Sequence, residues 1–285
     1  MFWRKSLPAG FNPAVYLDLN EDIRDTGVDP AQHYLEFGRK EGRRYRLGMG
    51  SDECRMWDKA KLCGLLSAKF NLKKYLEITT TTTGFKYRET AALGFQTRRR
   101  LVYRLNRKMA DGLAIDYASS TDDISGCLDE LQQNGQSFDL IFVDPHHTYE
   151  CSRRDISAAF ELLEPGGAVV VHDCRPSDEK IAKPEFQWGN WCGVTYKAYI
   201  DFVLGNPRLD YFTFNVDFGC GVILKPKSPA QKAKYRTRAK KDEALRRQWD
   251  KDTRDLTDAY RIFKANEAEL LRLVDFAGLR EKLNS

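Results

Sequence analysis

Residues Phe138 to Asp173 read FDLIFVDPHHTYECSRRDISAAFELLEPGGAVVVHD, and the fold follows from this stretch. Leu140 to Val143 is an apolar run of strand length that ends in Asp144, after which Pro145 bends the chain. A helical pattern opens near Tyr149 and closes on ELLEPGG, a helix end followed by a tight turn. A second apolar run, Ala168 to Val171, then ends at His172 and Asp173. Two buried strands joined by a helix form one unit of a doubly wound sheet, in which ligands sit outside the carboxyl ends of the strands. Asp144, His146, His147, His172 and Asp173 are therefore expected to share one crevice, which would gather three of the chain's four histidines.

Working outward, apolar runs predict strands at about 74–78, 100–104, 113–117, 138–144, 167–172, 209–216 and 219–225, with helices at about 121–134, 150–163 and 193–205. Strands that alternate with helices and finish in two closely spaced strands imply an α/β fold with a mostly parallel sheet and an antiparallel end. Residues 1–48 form a small helical module, broken at Gly27 and again at Asp29-Pro30. LGMGSDEC links it to a helix at about 53–70, so the α/β domain is expected over 49–226. Residues 227–285 form a charged helical extension with no strand candidate. Leu256, Tyr260, Phe263, Leu270, Leu273, Val274 and Phe276 supply a stripe for docking it, or for pairing with another chain as a homo-oligomer.

Composition narrows the function classes. The chain has 285 residues, and a net charge of +5 is too small to argue for a nucleic-acid partner. The seven cysteines contain no CxxC pair, which suggests neither a zinc ribbon nor a disulfide framework. No run approaches the roughly 18 apolar residues that span a bilayer, and MFWRKSLPAGF lacks the apolar stretch of a signal peptide. A soluble, cytoplasmic protein is expected. The basic stretch 225–247 is read as a solvated helix face or oligomer contact, with peripheral contact to an anionic membrane as the other reading.

Tyr75 to Phe85, YLEITTTTTGF, stands where a cofactor-binding domain places its first strand and glycine-rich turn. Only Gly84 offers the freedom such a turn uses; Thr79 to Thr83 offer hydroxyls and stiff β-branched backbone instead. Glu77 either hydrogen-bonds a ligand from the strand end or caps the loop as a buried acid.

Four ordered segments carry a family resemblance: FDLIFVDPHHTYE (138–150), DISAAFELLEPGGAVVVHD (155–173), WCGVTYKAY (191–199) and FNVDFGCGVI (214–223). Through them, Tyr75 to about Lys225 resembles a class I S-adenosylmethionine-dependent methyltransferase domain, in particular a bacterial O-methyltransferase-like group. Phe11 to Arg43 resembles a helical module that accompanies bacterial glycosyltransferases and other polysaccharide enzymes of the cell envelope.

The first resemblance implies a Rossmann-like, seven-stranded sheet whose last strand is antiparallel. It places S-adenosylmethionine on Glu77, Thr79, Gly84, Ser120, Asp122 and Asp144. It implies a divalent cation such as Mg2+ on Asp144 and Asp173, with His172 a secondary contact. His147 then becomes general base beside Asp144. The chain departs from the pattern in its threonine-rich turn and in having Arg104 and Asn106, rather than an acid, after the second strand. Trp188, Trp191, Tyr196 and Lys197 stand on the segment that flanks the site in relatives, where they either stack on a ligand or anchor packing. Asp217, Gly219 and Gly221 are read as structural. Three functions stay open: an O-methyltransferase acting on a hydroxyl of a glycan or envelope-related small molecule, a non-catalytic methyltransferase-like scaffold in polysaccharide assembly, and, third in rank, a metal-dependent hydrolase or hydroxylase built on the same site.

Overall fold

The computed structural model describes residues 7, 11, 13, 16–17, 20–24, 26–41, 43, 45, 58–81, 85–105, 115–254 and 256–284. It falls into two compact units, one of residues 1–57 with 187–190 and the other of 58–186 with 191–285. In the first, Phe11, Tyr16, Tyr34 and Tyr45 cluster their rings. The Pro30–His33 helix is capped by Asp29, and a π-turn over Tyr34–Gly38 follows it. His33 shares a hydrogen bond with the Tyr16 hydroxyl across 2.8 Å and lies beside Phe37, so its ring takes part in packing.

The second unit is built on one eight-stranded sheet of order β3-β2-β1-β4-β5-β7-β6-β8. Its strands are β1 (Lys74–Thr79), β2 (Thr97–Val102), β3 (Tyr117–Ala118), β4 (Phe138–Asp144), β5 (Leu163–Val171), β6 (Asp210–Phe214), β7 (Cys220–Leu224) and β8 (Leu273–Val274). β1 to β5 pair in parallel, and β7 is antiparallel to both β5 and β6. The doubly wound, mostly parallel architecture with an antiparallel strand near its end is thus present. The eighth strand corrects the expectation that the tail holds none: Leu273 and Val274 pair in parallel with Thr213 and Phe214 and cover the β6 edge. Two residues are too few to show alternation in a sequence.

Helices close both faces. α1 (Lys59–Phe70) starts on an Asp58 cap and ends at Asn71, whose φ of 54° is left-handed. α2 (Phe85–Glu89) and α3 (Ser125–Gln133) precede α4 (Tyr149–Leu162), which the Thr148 hydroxyl caps. α5 (Thr195–Gly205) packs on α4. On that face Ile78, Ile141, Val143, Val169 and Val171 meet Ile156, Phe160, Tyr196 and Ile200 in one buried core. β1, β4 and β5 are apolar on both faces because α1 lies against β4 and β5 on the other side.

The tail comprises α6 (Pro229–Lys241), α7 (Glu243–Asp252), α8 (Leu256–Leu270) and, after β8, α9 (Phe276–Asn284). Trp249, Phe263, Leu270 and Leu271 enter the same core, so the stripe docks inward on its own chain. Asp210 binds Arg238 of α6 and Arg272 before β8. Part of the basic stretch is therefore committed to structure, including Lys225, which donates to the carbonyls of Phe160 and Leu163. Lys232, Lys234, Arg236, Lys240 and Lys241 are exposed. No helix among the described residues is long and apolar enough to cross a membrane.

Candidate active site

Strand register sets the site. Thr79 lies opposite Val102 and Asp144, Val102 opposite Ala118, and Val143 opposite Val171, so the carboxyl ends of the five parallel strands form one row. Strand order reverses between β1 and β4, which opens the crevice at Thr79 and Asp144.

Asp144 closes β4, and His147 follows in the loop before α4. Asp173 stands two residues beyond β5 with a φ of 60°, a left-handed conformation that non-glycine residues adopt at a cost and that is concentrated at functional positions. The turn aims its carboxylate back at Asp144. His147 Nε2 is 3.1 Å from Asp173 Oδ2 and 3.5 Å from Asp144 Oδ1. His172 Nδ1 is 3.2 Å from Asp173 Oδ2 and 3.4 Å from Asp144 Oδ1, while its Nε2 faces Asp217 Oδ2 at 3.2 Å. Asp144, His147, His172 and Asp173 therefore meet, whereas His146, also expected there, has its ring beside Phe186 and Trp191.

Both ring nitrogens of His147 face acceptors. Nδ1 donates to the Trp191 carbonyl, a bond that requires the hydrogen on Nδ1 because a carbonyl only accepts. Nε2 faces two carboxylates, which likewise only accept, so this arrangement favours the ring protonated on both nitrogens. Gly193 makes this loop possible: with a φ of 53°, a Cβ there would sit 2.1 Å from the His147 carbonyl oxygen. The Trp191 ring lies beside both His146 and His147, and its Nε1 donates to the Lys183 carbonyl at 2.7 Å. Trp191 thus anchors the loop and orients the imidazole through its backbone.

Burial and opposed charges compete here. Burial, the largest single influence on His147, pulls its pKa down, but Asp173 and Asp144 outweigh it and hold it above the ordinary histidine value. His172 is raised well above that value, burial again opposing and Asp173 leading the rise. Burial would raise Asp144, but Lys59 and His172 hold it well below the usual range. Asp173 is lowered by His172 and His147 against its burial.

Three residues of the cluster lay outside the expectation. Lys59 Nζ reaches Asp144 Oδ2 at 3.4 Å, Cys192 Sγ donates to Asp173 Oδ1 at 3.3 Å, and Asp217, read as structural, reaches His172. Asp217, Phe218 and Gly219 all have positive φ, so one hairpin turn both connects β6 to β7 and swings the Asp217 carboxylate inward. A lysine at the first position of a helix, where cations are disfavoured, was the one available sequence signal.

Of the other predicted cofactor positions, Glu77 and Thr79 lie on β1 and Ser120 and Asp122 follow β3, and none of these four joins the cluster. Glu77 is buried, 3.3 Å from Arg100 Nε, and accepts from the Tyr75 hydroxyl. Arg100 also donates to the Thr81 carbonyl at 2.6 Å, so a buried guanidinium braces the threonine turn from beneath. The Thr79 hydroxyl accepts from the Thr81 N–H at 3.0 Å. Ser120 is exposed, and Asp122 is held by Arg104 through contacts of 2.9 and 2.8 Å. Gly84 and Asn106 lie outside the described residues. Of the flanking residues, Tyr196 is core, Lys197 pairs with Asp201 at 2.8 Å, and Trp188 is exposed.

Burial, countered by Arg100, raises Glu77 from 4.5 to about 7. Because the folded value is the higher, the stability this group contributes is full below 4.5 and lost as pH rises through about 7. The melting temperature of Glu77→Gln should accordingly fall less than that of the wild type between about pH 5 and about pH 8. Scanning calorimetry across that range checks this, and parallel pH profiles would contradict it.

Residues 64–174 match a protein family described as "Methyltransferase domain". The chain matches no curated protein sequence. Among solved structures it is similar to an O-methyltransferase from Bacillus cereus in complex with SAH (14% identity, 75% of this chain and 100% of that one, TM-score 0.44). It is also similar to the O-methyltransferase TomG from Streptomyces achromogenes, involved in tomaymycin synthesis and in complex with SAM (16%, 75% and 99%, 0.45). A third is the SAH-bound methyltransferase PaMTH1 from Podospora anserina (17%, 77% and 98%, 0.45). The family match spans the five parallel strands and takes in Asp144, His147, His172 and Asp173, so this part of the chain is similar to a methyltransferase domain.

Proposed function

We propose that the chain transfers the methyl group of S-adenosylmethionine to an acceptor hydroxyl held at the Asp144, His147 and Asp173 cluster. The observation that carries this is the convergence of Asp144, His147 and Asp173 at the carboxyl end of the sheet, with His147 Nε2 3.1 Å from Asp173 and 3.5 Å from Asp144. The donor would lie along the row of strand ends by Glu77, Thr79, Ser120, Asp122 and Asp144, with Gly84 the remaining residue proposed to contact it.

Asp144, Asp173 and His147 each offer a ligand atom, all within 4.8 Å of one another, and two of the three are hard carboxylate donors, which suits Mg2+ or a similar divalent cation. Asp144 and Asp173 would hold the cation; when bound it would orient the acceptor hydroxyl and make it more acidic. With the acids committed to the cation, His147 would be neutral and its Nε2 would take the hydroxyl proton. The Nδ1–H bond to Trp191 keeps the ring aimed, and Asp144 and Asp173 stabilise the imidazolium. Lys59, His172, Cys192 and Asp217 fix the carboxylates. Methyl transfer itself then relies on positioning.

Calorimetric titration with S-adenosylmethionine and S-adenosylhomocysteine tests the reading, followed by S-adenosylhomocysteine release with a panel of hydroxyl acceptors with and without Mg2+. Saturable binding and acceptor-dependent release are expected; absence of binding under both conditions would overturn it and leave the scaffold. His147→Ala should keep donor affinity within about twofold and slow release by about 10²- to 10⁴-fold. A second role for His147, third ligand to the cation, is favoured by its ring nitrogen lying among the acid oxygens. A large loss of Mn2+ affinity in His147→Ala would select the ligand role, and little change the base.

The acceptor we infer is a hydroxyl of a glycan or related small molecule of polysaccharide biosynthesis. Support comes from the pattern of Phe11 to Arg43, which is association, so the acceptor panel should include sugars and simple phenols. The proposed setting is a bacterial cytoplasm, consistent with Cys63, Cys127, Cys151, Cys174, Cys192 and Cys220 forming no disulfide among the described residues. A homo-oligomer, and membrane contact through the exposed lysines of α6, are the partners to test by light scattering and anionic vesicles.

A further inference from the structure

Lys59 is the one residue of the cluster that comes from a helix. It is the first residue of α1, its side chain is 11% exposed, and the amide dipoles of the helix start disfavour a cation there. Asp58, which caps the helix through the Lys61 N–H, offsets this only in part. Even so, Nζ lies 3.4 Å from Asp144 Oδ2, 3.5 Å from His172 Nδ1 and 4.0 Å from Asp217 Oδ2, with the Phe142 ring beneath it.

The two oxygens of Asp144 are divided. Oδ1 faces the two imidazoles, and Oδ2 faces the ammonium. A divalent cation drawing on Asp144 therefore meets a positive charge already tethered to the same carboxylate. Three carboxylates, Asp144, Asp173 and Asp217, stand within one connected set of contacts and would repel one another without a cation among them.

We propose that Lys59 is a built-in cation of the methyltransferase site: it holds Asp144 and Asp217 together before a divalent ion arrives and keeps the affinity for that ion low. The inference rests on the cation reading given above. Removing the ammonium leaves the acids in place with one more net negative charge, so the ion should bind more tightly, although no ligand has been added.

Mn2+ titration of the full chain, followed by electron paramagnetic resonance of the free ion, tests this without reference to turnover. Lys59→Met should bind Mn2+ at least about 10-fold more tightly than the wild type, and charge-keeping Lys59→Arg should stay within about threefold of it. Lys59→Gln gives the same reading should the methionine variant melt early. Equal affinity in Lys59→Met and wild type, or Lys59→Arg matching Lys59→Met, overturns the role of Lys59 while the cation site stands. Absence of saturable binding in every variant overturns the cation site, and this inference with it.

Discussion

Asp173→Asn is expected to slow methyl transfer by about 10³-fold on any acceptor the wild type uses, equivalent to about 4 kcal/mol of transition-state stabilisation. Asparagine keeps the volume and tolerates the left-handed backbone that Asp173 adopts at a φ of 60°. It removes the negative charge, and its amide nitrogen is no ligand for a hard cation. Asp173 Oδ2 is the oxygen nearest to His147 Nε2 at 3.1 Å, so its charge also supports the imidazolium formed when His147 takes a proton. One substitution thus weakens both parts of the proposed chemistry.

The fold should survive. Truncating a buried ion pair is most harmful when the partner is stranded with its charge, but His147 and His172 can both become neutral by losing a proton. A fall of only a few degrees in melting temperature is expected, together with donor affinity close to wild type. Turnover within about tenfold of wild type would remove Asp173 from the chemistry. Asp144→Asn is the natural comparison, and Lys59 makes it differ: the substitution removes the acid nearest to a buried ammonium, so a larger loss of stability should accompany the loss of activity.

How far the sequence could be read follows from where each signal lies. β4 and β5 were legible because their runs are apolar on both faces and end abruptly at acids. β2 was displaced because Arg98, Arg99 and Arg100 look like surface; Arg100 is buried against Glu77, and Arg98 donates to the Tyr87 carbonyl and to Thr90 Oγ1. A buried ion pair between neighbouring strands leaves no periodic trace. Asp144, His147, His172 and Asp173 were legible as two strand ends of one unit. Lys59 lies 85 positions before Asp144, and Asp217 belongs to a hairpin whose Asp, Phe and Gly read as turn chemistry. Contacts of that sequence separation come from the sheet order, and local pattern carries no information about them.

Trp249→Ala addresses the remaining long-range contact, that between the tail and the core, and should lower stability by about 3 to 5 kcal/mol. Trp249 is 2% exposed, and its Nε1 donates to Asp201 Oδ1 at 2.6 Å. Asp201 Oδ2 accepts from the Tyr149 hydroxyl at 2.7 Å and pairs with Lys197 Nζ at 2.8 Å. The Lys197 ammonium lies over both the Tyr149 and Trp249 rings, so α4, α5 and α7 meet at one carboxylate. Alanine leaves a large cavity and one unpaired acid oxygen; phenylalanine keeps most of the volume and loses the hydrogen bond, at about 1 to 3 kcal/mol. For a unit of this size, the alanine variant should melt roughly 10 °C lower. Limited proteolysis should then open the chain within the tail. The effect should reach the active site as well, because α5 starts directly after the Trp191 to Val194 segment that orients His147. A melting shift under about 2 °C would instead mean that 227–285 is an appendage whose loss the sheet does not feel. A ten-degree shift with slower methyl transfer would make the tail part of the methyltransferase unit.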